Sequence, residues 1–400
     1  MSSALALSAA VALLGPPAPA RAETPAPDDQ AAVTQTLPDF RQSGCRKPST
    51  RAAQGTPWAQ VYLRPEAVWP FGRGAGVTVA VIASGVDNGS GMLADRLRLG
   101  PRLHGQGDAG RDCVGHGTFL AGLIAGRRTP DGGPSGLAPE ARVLAVAVTD
   151  DAGSTTPELL AQGIRAAADG GARVAVVGVP VAAPNPALAE AVAYAATKGL
   201  LLVAPAGPDG QSTNGAVYPA GYPGVLAVTG VGADGAVASG AATGPGVTAT
   251  RGGRVDLAAP GGAVGGFGLG GGYATGSGPS YAAALVAGAA ALLLFRTPDL
   301  TVDQLVQRLE STAYQPGSAL PDPALGWGTL DVVAAVTALP GGGGGQSPVS
   351  ADPVTVPPPA DPTSVERASA LAAAALGTAV LVGLGAVAVG LGRRRGRCPG

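Results

Sequence analysis

The chain has 400 residues, 46% of them hydrophobic and only 13% charged, with 65 glycines, 37 prolines and a formal net charge of −1. That length holds one large domain with appendages or two smaller ones, and the apolar content excludes a disordered chain despite the Gly and Pro. A near-neutral balance, with no basic run interleaved with aromatics, excludes nucleic acid as a partner class; scattered Asp residues suggest neither a metal nor a cofactor.

The elements follow in chain order. Residues 1–22 read as a secretory signal peptide: an apolar run from Ala4 to Leu14, then Pro16 and Pro17, then an A-x-A type cleavage site at Ala20-Arg21-Ala22. No Lys or Arg precedes the apolar run, so a buried N-terminal helix is the competing reading. Residues 23–57 form a polar, Pro-containing arm that carries Cys45. In an exported domain two cysteines most simply form one disulfide, and Cys45 is expected to pair with Cys113, with two free buried thiols as the alternative.

From residue 58 to 339 the pattern is α/β. Strand-like apolar runs occur at Val77–Ile82, Val143–Val148, Val174–Val179, Leu200–Ala204, Val225–Val231 and Val255–Ala258. Helical patterns lie between them at Gly117–Gly126, Pro157–Ala168 and Ala187–Lys198, and after them from Ser280, over Thr301–Thr312 and near Asp331–Ala338. Strands that are apolar throughout and separated by helices predict a parallel sheet covered on both faces. Residues 340–367 are a Pro/Gly-rich linker that cannot build a core. Residues 368–392 carry no charge and are followed by Arg393, Arg394, Arg395 and Arg397, which predicts one C-terminal transmembrane helix, a cytoplasmic tail over 393–400 and an extracytoplasmic main domain. Cys398 is then cytoplasmic and free.

Two positions suggest chemistry. Ser280 stands where a Gly-rich loop feeds an apolar helix, a place with free N–H groups and a positive dipole end, although a Ser at a helix start is more often only a cap. His116 lies between Gly115 and Gly117 at another apolar helix start, and a lone His is more often structural. Together they change meaning. G-H-G-T-x-x-A-G followed, across a parallel α/β pattern, by G-x-S-x-A-x-x-x-V-A-G resembles the subtilisin-like serine proteases. VTVAVIASGVD, SGLAPEARVLAV, YPAGYPGVLAVTGV and VDLAAPG resemble further landmarks of that family. The Cys-bearing arm, the Asp-Cys before Gly-His-Gly-Thr and the linker leading to one span narrow the resemblance to mycosins, membrane-anchored subtilases associated with type VII secretion.

The resemblance implies a subtilisin-like fold, His116 and Ser280 as catalytic positions, and a type VII secretion membrane complex as partner, with an extended peptide possible in the cleft. It also exposes departures. Ala83 stands where the family has the Asp that orients the His, and Pro208 where it has the Asn that donates to the oxyanion. Gly278-Pro279-Ser280 replaces Gly-Thr-Ser, Ala284 replaces a later Pro, and the Ser of the substrate strand is absent. Losing the triad carboxylate costs about 10⁴ in rate, and one oxyanion donor about 10² to 10³. Asp87 and Asp112 are the nearest replacement carboxylates in sequence. The expectation is a protease site that is inactive or severely impaired; the alternatives are a weak endopeptidase using a Ser280–His116 dyad and a peptide-binding module.

Overall fold

The computed structural model describes residues 45–338, apart from 54, 130–131, 211–214, 238–252 and 318–319, together with the backbone of residues 36–37. These belong to the first of two units, Met1–Gly343 and Gly344–Gly400. The expected signal peptide, the linker at 340–367, the span at 368–392, the tail and Cys398 lie outside the described residues.

Seven strands make the main sheet: β2 (Thr78–Ala83), β3 (Leu97–Arg102), β4 (Arg142–Ala147), β5 (Val174–Val177), β6 (Leu201–Pro205), β7 (Val225–Val231) and β8 (Leu257–Pro260). They lie in the order β3-β4-β2-β5-β6-β7-β8 and every pairing is parallel. In β2, Val79, Val81 and Ala83 enter the apolar cluster on one face while Ala80 and Ile82 enter that on the other. Neither face meets water, which is why the strand reads as unbroken apolar sequence.

Helices α3 (His116–Ala125) and α6 (Pro279–Arg296) fill the first face. Helices α4 (Pro157–Asp169) and α5 (Pro186–Thr197) cover the second. Their starts are fixed by sequence-local chemistry. Thr156 accepts from the Leu159 N–H and Asn185 from the Leu188 N–H, each followed by a Pro at the first helical position, where no N–H is needed. Helix α6 is apolar on all sides because it has no solvent face: Pro279–Leu294 are all buried. It is long and apolar enough to cross a membrane, but it is the central helix of this domain. Helix α7 (Val302–Ser311) opens on the Thr301/Gln304 capping box, and α8 (Val332–Thr337) on the Asp331 side chain.

The expected strands and helices are all present, with bounds displaced by at most two residues. β5 stops at Val177, short of the expected Val179, because Pro180 has no N–H and the next backbone pair is the antiparallel bridge of Val181 with Tyr218. Other elements carried too weak a pattern. Strand β3 is an edge strand containing Pro101, with a register shift between Leu99 and Arg102. The hairpin β9 (Val264–Phe267) and β10 (Tyr273–Gly276) is Gly-rich, and the short helices α1 (Trp58–Leu63) and α2 (Pro65–Val68) fall below a usable period. Strand β1 (Thr36–Leu37) pairs in parallel with Thr275 and Gly276 of β10, so the arm meets the strand that leads into α6.

Candidate active site

Three segments converge at one end of the sheet: the end of β2 at Ala83, the start of α3 at His116 and the start of α6 at Pro279. The α3 terminus is capped from elsewhere. The Asp112 carboxylate accepts from the N–H groups of Val114 (3.1 Å), Gly115 (2.7 Å) and Thr118 (2.8 Å), and from the Thr118 hydroxyl (2.7 Å). Ser84, just past β2, accepts from the Gly117 N–H at 2.9 Å. Gly117 is required by proximity, because a Cβ there would stand 2.0 Å from the Gly85 carbonyl oxygen. This clamp between strand end and helix start fixes His116 as the first residue of α3, with no exposed surface.

Ser280 is the second residue of α6 and is also fully buried. Its Oγ lies 2.9 Å from His116 Nε2. The sequence-predicted pair is therefore brought into hydrogen-bond contact from 164 residues apart. Tyr281 closes the far side, packing edge-on against the His116 ring at 5.5 Å and against Phe119 at 5.2 Å. Burial, reinforced by the charge of Asp209, pushes the Tyr281 hydroxyl well above its ordinary pKa.

The residue that sequence reasoning missed is Asp209. Pro208, at the expected oxyanion position, contributes no donor, but the next side chain enters the site. Asp209 Oδ1 accepts from the Ser280 N–H at 3.0 Å, and Oδ2 accepts a short hydrogen bond from the Ser280 hydroxyl and lies 3.2 Å from His116 Nε2. The two side chains are 0% and 2% exposed, so water does not moderate their contact. Gly278 makes room: with φ at +150°, it places its Cα where a Cβ would lie 1.9 Å from Asp209 Oδ1. The available signal was the charged residue directly after Ala206-Gly207-Pro208.

Ala83 ends β2 beside the imidazole. A Cβ built on Gly178 would stand 3.0 Å from Ala83 Cβ and 3.2 Å from His116 Cε1, so the end of β2 and the imidazole both border the space that the glycine leaves open. Both nearby Asp carboxylates have other partners. Asp112 spends both oxygens on the α3 cap, and Asp87 Oδ1 accepts from the Gly89 N–H at 2.9 Å. Gly178 follows β5 without a hydroxyl, and Ala284 is buried in α6. The other histidine, His104, sits in the exposed loop after β3.

The arm is tied to this region. Cys45 and Cys113 form a disulfide, with their Cα atoms 4.4 Å apart, and the Arg46 N–H donates to the Cys113 carbonyl. The Ser49 N–H donates to the Leu269 carbonyl and the Tyr273 N–H to that of Arg51. The bridge therefore attaches the arm between the α3 cap at Asp112 and the hairpin that leads to Ser280.

Residues 74–328 match the model of the subtilase family. The chain belongs to the subtilase family. Within it, this subtilase is 34% identical to mycosin-1 of Mycobacterium tuberculosis over 96% of its own length and 97% of the relative's. It is 37% identical to mycosin-4 of the same organism over 73% and 71% of the two chains. The crystal structure of MycP1 from the ESX-1 type VII secretion system aligns with a TM-score of 0.66 at 31% identity, covering 79% of this subtilase and 96% of that chain. It is thus a mycosin-like subtilase in both sequence and fold.

Proposed function

We propose that this mycosin-like subtilase is a membrane-anchored component of a type VII secretion membrane complex, and that its peptidase chemistry is lost or severely impaired. The observation that carries the impairment is Ala83. A methyl group stands at the end of β2 beside His116, and the two carboxylates nearest in sequence are committed to backbone N–H groups. Without the family's Asp at position 83 the imidazole loses the carboxylate that would fix its tautomer and stabilise the imidazolium formed during attack. Pro208 also removes the side-chain oxyanion donor. The partner comes from relatives, whose solved structures include one described as an essential component of the type VII (ESX-1) secretion system. The anchor rests on the uncharged run at 368–392 with arginines after it, a charge pattern that supports a main domain outside and a C-terminus in the cytoplasm.

The full-length chain is expected to show no hydrolysis of a diverse peptide library, and Ser280→Ala is expected to support secretion as well as the wild type does. Loss of secretion in Ser280→Ala cells that hold normal levels of the protein would overturn the proposal. The 2.9 Å contact between His116 and Ser280 favours a second reading, a slow dyad endopeptidase. Under that reading the wild-type chain is labelled at Ser280 by a fluorophosphonate, and His116→Ala abolishes the labelling.

A further inference from the structure

The impairment assigned to Ala83 and Pro208 is one of missing groups, whereas Asp209 is an added one. Its seat is built on three sides. The Ser280 N–H at the start of α6 meets Oδ1, the Ser280 hydroxyl and His116 Nε2 meet Oδ2, and Gly278 leaves the space that a Cβ would fill. For attack on an acyl group, the Ser280 N–H is the backbone donor that would receive the developing oxyanion. Here that donor already holds an oxygen of a carboxylate. A carboxylate is itself a planar pair of oxygens sharing negative charge, so it imitates the group the donor serves.

The same contacts govern the proton. Both Asp209 oxygens already accept from Ser280, and where Oδ2 accepts at the 3.2 Å contact as well, the hydrogen there belongs to His116 Nε2, which then donates and has no lone pair left for the serine. The single hydroxyl hydrogen of Ser280 lies toward Asp209 Oδ2. His116 and Ser280 are therefore close enough to react but are both donors toward a third group.

We propose that Asp209 is an internal occupant of the oxyanion position that holds the Ser280–His116 pair shut. This inference rests on the impaired-subtilase reading and adds a cause that can be reversed by one substitution. Removing the carboxylate frees the Ser280 N–H and lets the hydroxyl turn to a His116 Nε2 that accepts. An electrophile then meets a usable nucleophile: with a fluorophosphonate, the Ser280 Oγ–P bond forms, the P–F bond breaks, fluoride leaves and the hydroxyl proton passes to His116 Nε2.

The test is fluorophosphonate labelling of the full chain at neutral pH in the wild type, Asp209→Ala and the nearly isosteric Asp209→Asn. The probe site is read by mass spectrometry and folding by thermal melting. Labelling of Ser280 is expected to rise by about 10²-fold in Asp209→Ala, the scale of one oxyanion-hole donor. A rise of at least tenfold is expected in Asp209→Asn, whose amide nitrogen can turn toward Oγ as a donor. Adding His116→Ala to either variant is expected to remove the gain. Folded Asp209→Ala and Asp209→Asn chains as silent as the wild type would overturn the proposal while leaving the impaired-subtilase reading in place. If Asp209→Ala does not fold, the Asn variant alone decides. Wild-type labelling as fast as that of the variants would overturn both.

Discussion

Replacing Asp112 by Ala tests whether the site is held by its helix cap or by the surrounding core. The carboxylate takes four donors, the N–H groups of Val114, Gly115 and Thr118 and the Thr118 hydroxyl, in a place that is 6% exposed. A hydrogen bond to a charged group contributes about 1.5–3 kcal/mol, and a buried donor left unmet costs about 1–3 kcal/mol. The four contacts do not add, because Oδ1 and Oδ2 each serve two donors and the hydroxyl can rotate to another acceptor. Two fully lost contacts give about 3–5 kcal/mol. In a domain above about 200 residues each kcal/mol moves Tm by about 2–4 °C, so Asp112→Ala is expected to lower Tm by about 6–20 °C. Asp112→Asn retains one acceptor oxygen but turns an amide toward N–H groups, and about half the loss is expected. Scanning calorimetry of the full chain with the disulfide intact is the assay. A Tm for Asp112→Ala within about 2 °C of the wild type would refute the reasoning, since the α3 start would then owe its order to the apolar core alone.

Two further predictions follow from groups away from the nucleophile and from the family position that is vacant. Burial and the nearby charge of Asp256, opposed by Arg254, push Glu310 from 4.5 up to about 7. Because its folded value is raised, the folded chain holds a proton that the unfolded chain releases between about pH 4.5 and 7. Stability from this group is therefore greatest in acid and declines as pH rises through that window. Denaturant titrations at several pH values are expected to show a shallower decline for Glu310→Gln and a higher midpoint above pH 7; parallel curves would contradict the assignment. For the vacant position, Ala83→Asp alone is expected to leave peptide hydrolysis undetectable, because Asp209 still occupies the Ser280 N–H. Added to Asp209→Asn it is expected to raise kcat/KM by up to about 10⁴, the contribution of a triad carboxylate in established enzymes. Hydrolysis by the Ala83→Asp single variant would show that Asp209 does not obstruct the site.

Apart from the edge strand β3, the main sheet was legible because both faces of its strands are buried, so Val174–Val177 and Val225–Val231 announce themselves as apolar runs without any knowledge of their neighbours. Helix starts at Thr156, Thr301 and Asp331 were legible for a related reason: the capping group lies three residues from the N–H it serves. The α3 start shows where that locality ends. Its cap comes partly from Ser84, 33 residues earlier in the chain, and no local pattern connects the two. Strand β3 was missed because an edge strand does not need two apolar faces, and the β9–β10 hairpin because its glycines serve close packing rather than a hydrophobic period.

Asp209 was illegible for a different reason. Comparing a sequence with a family pattern assigns one residue to one position, and at the oxyanion position that residue is Pro208, which offers nothing. The site, however, is a buried volume with a donor on its wall, and that donor is the backbone N–H of Ser280, which every residue type except proline would supply. A buried N–H must be paired, so the site draws in whatever acceptor the neighbouring chain can place there. The residue after the proline does so, reaching past Gly278 into the space left by an absent Cβ. The side chain after Pro208 thus meets the Ser280 N–H that the proline itself cannot reach with a donor or acceptor group. The chemical outcome depends on the filled volume more than on the missing side chain: restoring a donor beside Ser280 requires removing the acceptor already bound there.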